Sequence, residues 1–280
     1  MSKKVLQRIH IIKETLRILK EGSYQNRQGQ VVNLAAAQAQ AVQSSRAWLP
    51  EELAELSEQV FEARTSQTQF EVRNETTFEA SLRAYQAAKG RHIGALNFAS
   101  ARNPGGGVLR GTKAQEEDLA RASGLYPCIV QMEDHFQYHR KHKLGLYSDR
   151  MIYSPKVPVF RNAAEQLLDD WYPVSIITSA AANVSSLRQN NPERLQDVPA
   201  VMRLRTQKLL ALAAYHHIDT LILGAWGCGV FKQEPADMAG YFAEQLLEGP
   251  FKNVFPRVMF AVLDNSKEER FISPFRERFI

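Results

Sequence analysis

The sequence predicts one α/β layered domain, a largely parallel sheet covered by helices on both faces. Three observations predict it. Runs that are apolar throughout, such as Leu221-Ile222-Leu223 and Val258-Met259-Phe260-Ala261-Val262, suit strands buried on both sides. Each run is followed by a loop and a helix-forming stretch, the alternation that parallel strands with crossover helices require. The 280 residues contain no internal repeat and no Ser/Gly linker, so one large core accounts for the length.

The elements follow in chain order. Val5, Ile9, Ile12, Leu16 and Leu19 recur at spacings of four and three, which makes one apolar stripe on a helix that Gly22 stops. Lys3, Lys4, Arg8, Lys13, Arg17 and Lys20 then read as its solvated face, with a rim contact to a phosphate polymer as the alternative. Residues 34–65, rich in Ala, Gln and Glu, read as helix, and Pro50-Glu51 opens a second piece. Residues 1–65 are therefore expected to be a helical N-terminal extension packed on a core of residues 66–280. Eight Glu against Arg64 and Arg73 make residues 51–80 acidic, ordinarily a wet surface. Strands are expected near residues 69–72, 92–98, 174–179, 220–224 and 257–263, and helices near 78–88, 114–122, 199–216 and 235–247.

Charge narrows the function. Lys and Arg number 35 against 30 Asp and Glu, a net +5 that suggests a polyanion binder. Seven of the basic residues and two Glu lie within residues 1–30, so that segment holds the whole excess and the remainder is neutral. No sequence-specific nucleic-acid binding is expected from such a distribution. The longest apolar stretch, Thr220 to Phe231, is interrupted by three glycines and falls short of the roughly 20 residues needed to cross a bilayer. Two cysteines, Cys128 and Cys228, are too few for a disulfide framework and read as small buried hydrophobes, reduced in a cytoplasm. Charges threaded through the N-terminal apolar residues do not fit a signal peptide, so the start reads as mature protein. His135, His139 and His142, spaced i, i+4, i+7, could align three imidazoles for a metal. Arg140, Lys141 and Lys143 around them repel a cation, and a basic surface segment is the expectation.

Glycine is concentrated in two loops. Gly105, Gly106, Gly107 and Gly111 follow the expected strand ending at Phe98, and Gly224, Gly227 and Gly229 follow the one beginning at Thr220. Without Cβ atoms the first loop can take positive φ and let a ligand press on its N–H groups; a simple tight turn is the alternative. Thr112 and Gln115 form a T-x-x-Q capping box that places Glu116 and Glu117 in the first turns of a helix. Gly105, Gly107 and Gly111 are one residue too long for a dinucleotide fingerprint, and the Lys and Ser/Thr of a P-loop are missing. In the second loop, Ala225 to Phe231, glycine N–H groups can form an anion nest without any Lys or Arg.

Asn103-Pro-Gly-Gly-Gly, seven further residues and Gln115-Glu116-Glu117 together resemble the GGG…QEE signature of the poly(ADP-ribose) glycohydrolases of the compact microbial type. The resemblance extends through NFASARNPGGG, AQEEDLARASGLYP, YSDRMIYSPKVPVF, LGAWGCGVF and FAVLD, about residues 5 to 265. It implies a three-layer α/β/α macrodomain-like mixed sheet and hydrolysis of the ribose–ribose O-glycosidic bonds of poly(ADP-ribose), releasing ADP-ribose from the chain end. It implies Glu117 as general acid/base, Glu116 as holder of the ribose hydroxyls and Asn103 as orienter of the distal ribose. Gly105, Gly106, Gly107, Val108 and Gln115 would line the first wall; Gly224, Gly227, Cys228, Gly229 and Val230 would wrap the diphosphate, with Phe231 on the adenine. No cofactor and no metal are implied, the partners being poly(ADP-ribose) or ADP-ribosylated protein and the product ADP-ribose, with a monomer expected. An ADP-ribose-binding macrodomain without turnover and a mono-ADP-ribosyl hydrolase are the alternatives. Two tensions accompany this reading. Adjacent helical residues diverge by about 100°, so the two Glu cannot flank a sugar. A helix N-terminus also lowers a carboxyl pKa that a general acid needs raised, and bound diphosphate with desolvation is expected to outweigh it.

Overall fold

Leu221 and Leu223 pack on one side of the sheet and Ile222 on the other, and Val258 and Phe260 are likewise separated from Met259 and Ala261. That alternation, with every one of these residues buried, is what a strand covered on both faces requires. The computed structural model describes residues 2–280. Its strands are β1 (Ser23–Gln25), β2 (Val31–Asn33), β3 (Arg46–Trp48), β4 (Gln69–Arg73), β5 (Ile93–Phe98), β6 (Met151–Arg161), β7 (Leu167–Ser179), β8 (Thr220–Leu223) and β9 (Arg257–Ala261). The helices are α1 (Lys3–Glu21), α2 (Ala35–Ser44), α3 (Pro50–Ser57), α4 (Thr77–Ala87), α5 (Gln115–Ala122), α6 (Leu125–Val130), α7 (Glu133–Lys141), α8 (Val184–Asn190), α9 (Val198–Tyr215), α10 (Pro235–Ala243) and α11 (Ser273–Phe279).

Seven strands form the main sheet in the order β3-β6-β7-β5-β8-β9-β4. The pairs from β7 to β4 are parallel, and β6 runs against both its neighbours. Residues of α3, α9, α10 and α11 share one core cluster, and those of α4, α5, α6 and α7 share the other, giving the expected α/β/α layers. α9 is buried nearly all round from Arg205 to Ala214, as a helix between a sheet and other helices must be.

Two expectations are corrected. Residues 1–65 are not helical throughout: β1 and β2 form a hairpin, helix stops at Ser57, and β3 joins the main sheet beside β6. The Ala/Gln-rich composition concealed strands of three residues, too short for a periodicity to show. β6 and the first half of β7 were also not expected. Pro155 falls in a register shift between Ser154 and Val157, where Lys156 has φ +47°, while Pro158 and Pro173 pair with each other.

One buried ion network fixes the segment before β6. Arg205, on α9, donates to the carbonyls of Leu146 at 3.0 Å, Tyr147 at 3.3 Å and Ala180 at 3.0 Å, and to Asp149 Oδ1 at 2.9 Å. Lys208 Nζ takes the other Asp149 oxygen at 2.7 Å. Burial works to raise the Asp149 pKa; Arg205 and Lys208 outweigh it and hold the carboxyl below its ordinary range. The stabilisation is therefore present at neutral pH and is lost only as pH falls through the carboxylate range. Asp149→Asn leaves two buried cations without their counter-charge and is expected to cost about 3–5 kcal/mol, read as a lowered urea midpoint at unchanged slope.

Candidate active site

Both glycine loops leave the same edge of the sheet because β5 and β8 are parallel neighbours, paired Ile93 to Thr220 and Ala95 to Ile222. A Cβ on Gly224 would stand 2.5 Å from the Ala261 carbonyl oxygen and 3.0 Å from the Phe98 ring, so the two loop origins are packed together. This is the carboxyl edge of parallel strands, where open α/β sheets hold their ligands.

Gln115 ties the start of α5 to β5. Its Oε1 accepts the Phe98 N–H at 2.8 Å, and its Nε2 donates to the Leu96 carbonyl at 2.8 Å and to Thr77 Oγ1 at 3.1 Å. The expected capping box is thereby corrected: Ala114 is the N-cap and carries no side-chain cap. The Gln115 amide satisfies strand groups instead of helix groups, and the Thr112 side chain fills the space where a Gly107 Cβ would stand.

The two carboxyl groups are buried, Glu116 at 3% and Glu117 at 5% exposure. Ser100 N–H donates to Glu116 Oε2 at 2.7 Å, and Gly107 N–H donates to Glu117 Oε1 at 2.8 Å. Gly106, at φ +59°, lies between them: its Cβ would stand 2.5 Å from Glu117 Oε1 and 3.0 Å from Glu116 Oε2. The adjacent carboxylates therefore sit side by side at one bare turn and do not face each other across a gap. Gly105, at φ +67°, lies against Tyr126 in the same way. At these two positions a side chain meets both a left-handed backbone and a filled space.

Burial raises the Glu116 pKa to about 8; the Ser100 N–H opposes it, the Glu117 charge adds to it, and the Asn97 side chain and Gly105 backbone oppose it further. Glu116 Oε1 and Asn97 Oδ1 are both buried without a hydrogen-bond partner, while Asn97 Nδ2 donates to Thr178 Oγ1 at 3.2 Å. A proton on Glu116 gives those two orphaned oxygens a donor and an acceptor.

The second loop is anchored by Trp226, fully buried, whose Nε1 donates to the Ser179 carbonyl at 3.1 Å. Gly227, at φ +76°, turns against Ala181 and Gln233, and Gln233 Nε2 holds the Ala182 carbonyl at 2.7 Å. Gly229 and Val230 are exposed, Cys228 is buried, and Phe231 is half-buried with its ring 5.9 Å from that of Tyr147. Among the described residues, the N–H groups of Gly229, Val230 and Phe231 make no backbone hydrogen bond.

Asn103 is exposed; its N–H donates to Ser100 Oγ at 3.2 Å and its carbonyl accepts the Gly106 N–H at 3.0 Å. Val108 is buried beneath Ile12 and Ala120. Asn97, Ser100, Trp226 and Tyr147 stand at the site without having been singled out. A polar Asn97 inside an otherwise apolar strand was the available signal. The histidine expectation is corrected: His135 and His139 are buried, with pKa values pushed down by desolvation. The His139 ring bonds the His135 carbonyl and Ser148 Oγ, while His142 stacks on Tyr138, so the three rings do not converge. Both cysteines are buried free thiols.

Residues 12–162 match the family model "Microbial-type PARG, catalytic domain". The chain is similar to the poly(ADP-ribose) glycohydrolase (PARG) from Thermomonospora curvata, 42% identical with a TM-score of 0.93 over 98% of this chain and 99% of that one. It is likewise similar to that enzyme bound to the inhibitor ADP-HPD, at 43% identity and TM-score 0.91 with the same coverage. The PARG from Deinococcus radiodurans in complex with ADP-ribose is 43% identical, with a TM-score of 0.80 over 86% of this chain and 96% of that one. No curated protein sequence matches.

The Glu116 proton predicts a pH dependence of stability. With the folded pKa raised from 4.5 to about 8, the folded chain keeps a proton that the unfolded chain releases, so stability declines as pH rises across that interval. Glu116→Gln keeps an acceptor for Ser100 and supplies a donor to Asn97. Its Tm is expected to pull ahead of wild type progressively from pH 5 to 8, at no more than about 1.4 kcal/mol per pH unit. A constant difference across that range contradicts the shared-proton arrangement.

Proposed function

The chain belongs to the microbial-type poly(ADP-ribose) glycohydrolase family, and from that premise we propose that it cleaves ribose–ribose bonds at the end of poly(ADP-ribose) with Glu117 as general acid and base. The observation that carries this is the hydrogen bond from Gly107 N–H to Glu117 Oε1, which fixes one carboxyl at a turn with no side chain over it. The second loop receives the diphosphate of the terminal unit through the N–H groups of Gly227, Gly229, Val230 and Phe231, with Gly224 giving close approach and Phe231 an apolar face for the adenine. Cys228 packs beneath that turn. The first loop, Gly105 to Val108, bears on the distal ribose, and Glu116 bonds its hydroxyls. Asn103 orients that ribose through the turn its carbonyl and N–H define.

The bond between C1″ of that ribose and the 2′-oxygen of the preceding unit breaks as Glu117 gives its proton to the departing oxygen. Positive charge develops at C1″ and is offset by the substrate's own diphosphate. Water then adds to C1″ and loses a proton to the Glu117 carboxylate, so one water is consumed and the acid is restored. A neutral Glu116 spares Glu117 a second negative charge beside it.

The test is turnover of auto-modified poly(ADP-ribosyl) protein by wild type and Glu117→Gln, with free ADP-ribose and ADP-ribose binding both measured. Release is expected to fall by at least the 10²–10⁴ that a positioned acid typically contributes, with binding retained. Binding without release by either protein indicates a non-hydrolytic ADP-ribose binder. Removal of the last unit from the protein indicates mono-ADP-ribosyl hydrolysis.

A further inference from the structure

α1 is expected from its sequence to present Arg8 to solvent, and it does not. Arg8 Nε donates to the Gly111 carbonyl at 2.6 Å, across more than a hundred residues of chain. Gly111, at φ +73°, is pressed on the helix itself: a Cβ there would stand 2.6 Å from the Val5 carbonyl oxygen and 3.0 Å from both Val5 and Ile9 side chains. Further along, Ile12 is buried against Val108 and Ala120, and Thr15 Oγ1 donates to the Arg121 carbonyl at 2.6 Å. Arg161 holds this part of α1 by bonding Glu14 Oε2 at 2.6 Å and Thr15 Oγ1 at 3.3 Å. One helix thus touches the end of the glycine loop, its middle, and the last turn of the helix that carries both glutamates.

The contacts run without a break to the carboxyl group. Gly111 N–H donates to the Val108 carbonyl at 3.1 Å, Thr112 N–H donates to the Gly107 carbonyl at 3.3 Å, and Gly107 N–H donates to Glu117 Oε1 at 2.8 Å. We infer that α1 is a splint for the catalytic loop and that Arg8 is a positioning residue, setting the height of the Gly105–Gly111 turn and through it the place of the Glu117 carboxyl. This rests on the assignment of Glu117 as acid and base. The exposed face of α1 carries no part of that work, so Gln7, exposed on the same helix, serves as a control.

The experiment compares Arg8→Ala, Arg8→Lys, Gln7→Ala and Glu117→Gln on poly(ADP-ribose), measuring kcat and KM separately with Tm alongside. Displacing the carboxyl by a fraction of an ångström to an ångström is expected to lower kcat about 10- to 100-fold in Arg8→Ala with KM nearly unchanged. Arg8→Lys, whose ammonium can still donate to the Gly111 carbonyl, is expected to recover part of kcat, and Gln7→Ala to match wild type. A lowered Tm with wild-type kcat in Arg8→Ala overturns the inference and leaves Arg8 a structural tether. If Arg8→Ala does not fold, Arg8→Met, which keeps the stem and removes the donor, decides: reduced kcat at constant KM supports positioning, and wild-type kcat overturns it. An active Glu117→Gln would instead remove the assignment of the acid, whatever the Arg8 variants do.

Discussion

The site depends on one hydrogen bond, from the Gly107 backbone to the Glu117 carboxyl. Two consecutive helical residues cannot aim their side chains the same way by helix geometry alone, since they diverge by about 100°. Here the loop makes the reconciliation. Ser100 N–H draws Glu116 from one side, Gly107 N–H draws Glu117 from the other, and the bare Gly106 leaves the space where both ends meet. That arrangement holds only if loop and helix are fixed relative to each other, which explains the number of separate ties between them. Gln115 sews α5 to β5, Thr112 backs Gly107, Tyr126 backs Gly105, and α1 backs Gly111.

Electrostatics follow from the same geometry. Two carboxylates side by side at one turn would repel one another. Keeping Glu116 neutral removes one of the charges, and burial is what keeps it neutral. Three buried arginines around α5, β6 and α9 are engaged in structural pairs. Arg121 holds Glu165, Asp118 and the Thr112 carbonyl, Arg161 holds Glu14, and Arg205 holds Asp149. On the proposed reading, the diphosphate meets backbone N–H groups, whose partial charges are fixed in direction and cost no desolvated cation.

Much of this was legible in the sequence, and the parts that were not have physical reasons. Strands β8 and β9 showed because buried parallel strands are apolar throughout, and helices α4, α9 and α10 because they are long enough to display a period. Both glycine loops showed because closely approached backbone excludes Cβ. What failed were inferences from local composition about long-range contacts. Gln115 looked like a helix cap and instead serves the neighbouring strand; His135 and His139 looked like a basic surface and are buried beneath it. Glu71 and Glu75, counted as wet acidic surface, pair with Arg83, and Glu71 also pairs with Arg257.

The positive N-terminal segment shows most clearly why charge counting misleads. Net charge is a property of sums, and the whole-chain +5 suggested attraction to a polyanion although residues 1–30 hold all of it. Position separates those charges into different roles. Arg8 has its guanidinium turned into the protein on a carbonyl, and Arg17 is paired with Glu21 on the exposed side. The buried positions of α1 are Ile11, Ile12, Thr15 and Ile18, a stripe rotated from the one the periodicity suggested, because the helix lies against both the glycine loop and the Phe160 cluster. A helix fitted against two surfaces must turn its stripe between them, and Arg8 falls at the boundary, where a long apolar stem and one strong donor can serve both the packing and the turn. The same residue, moved by one position along the helix, would point about 100° away and hold nothing.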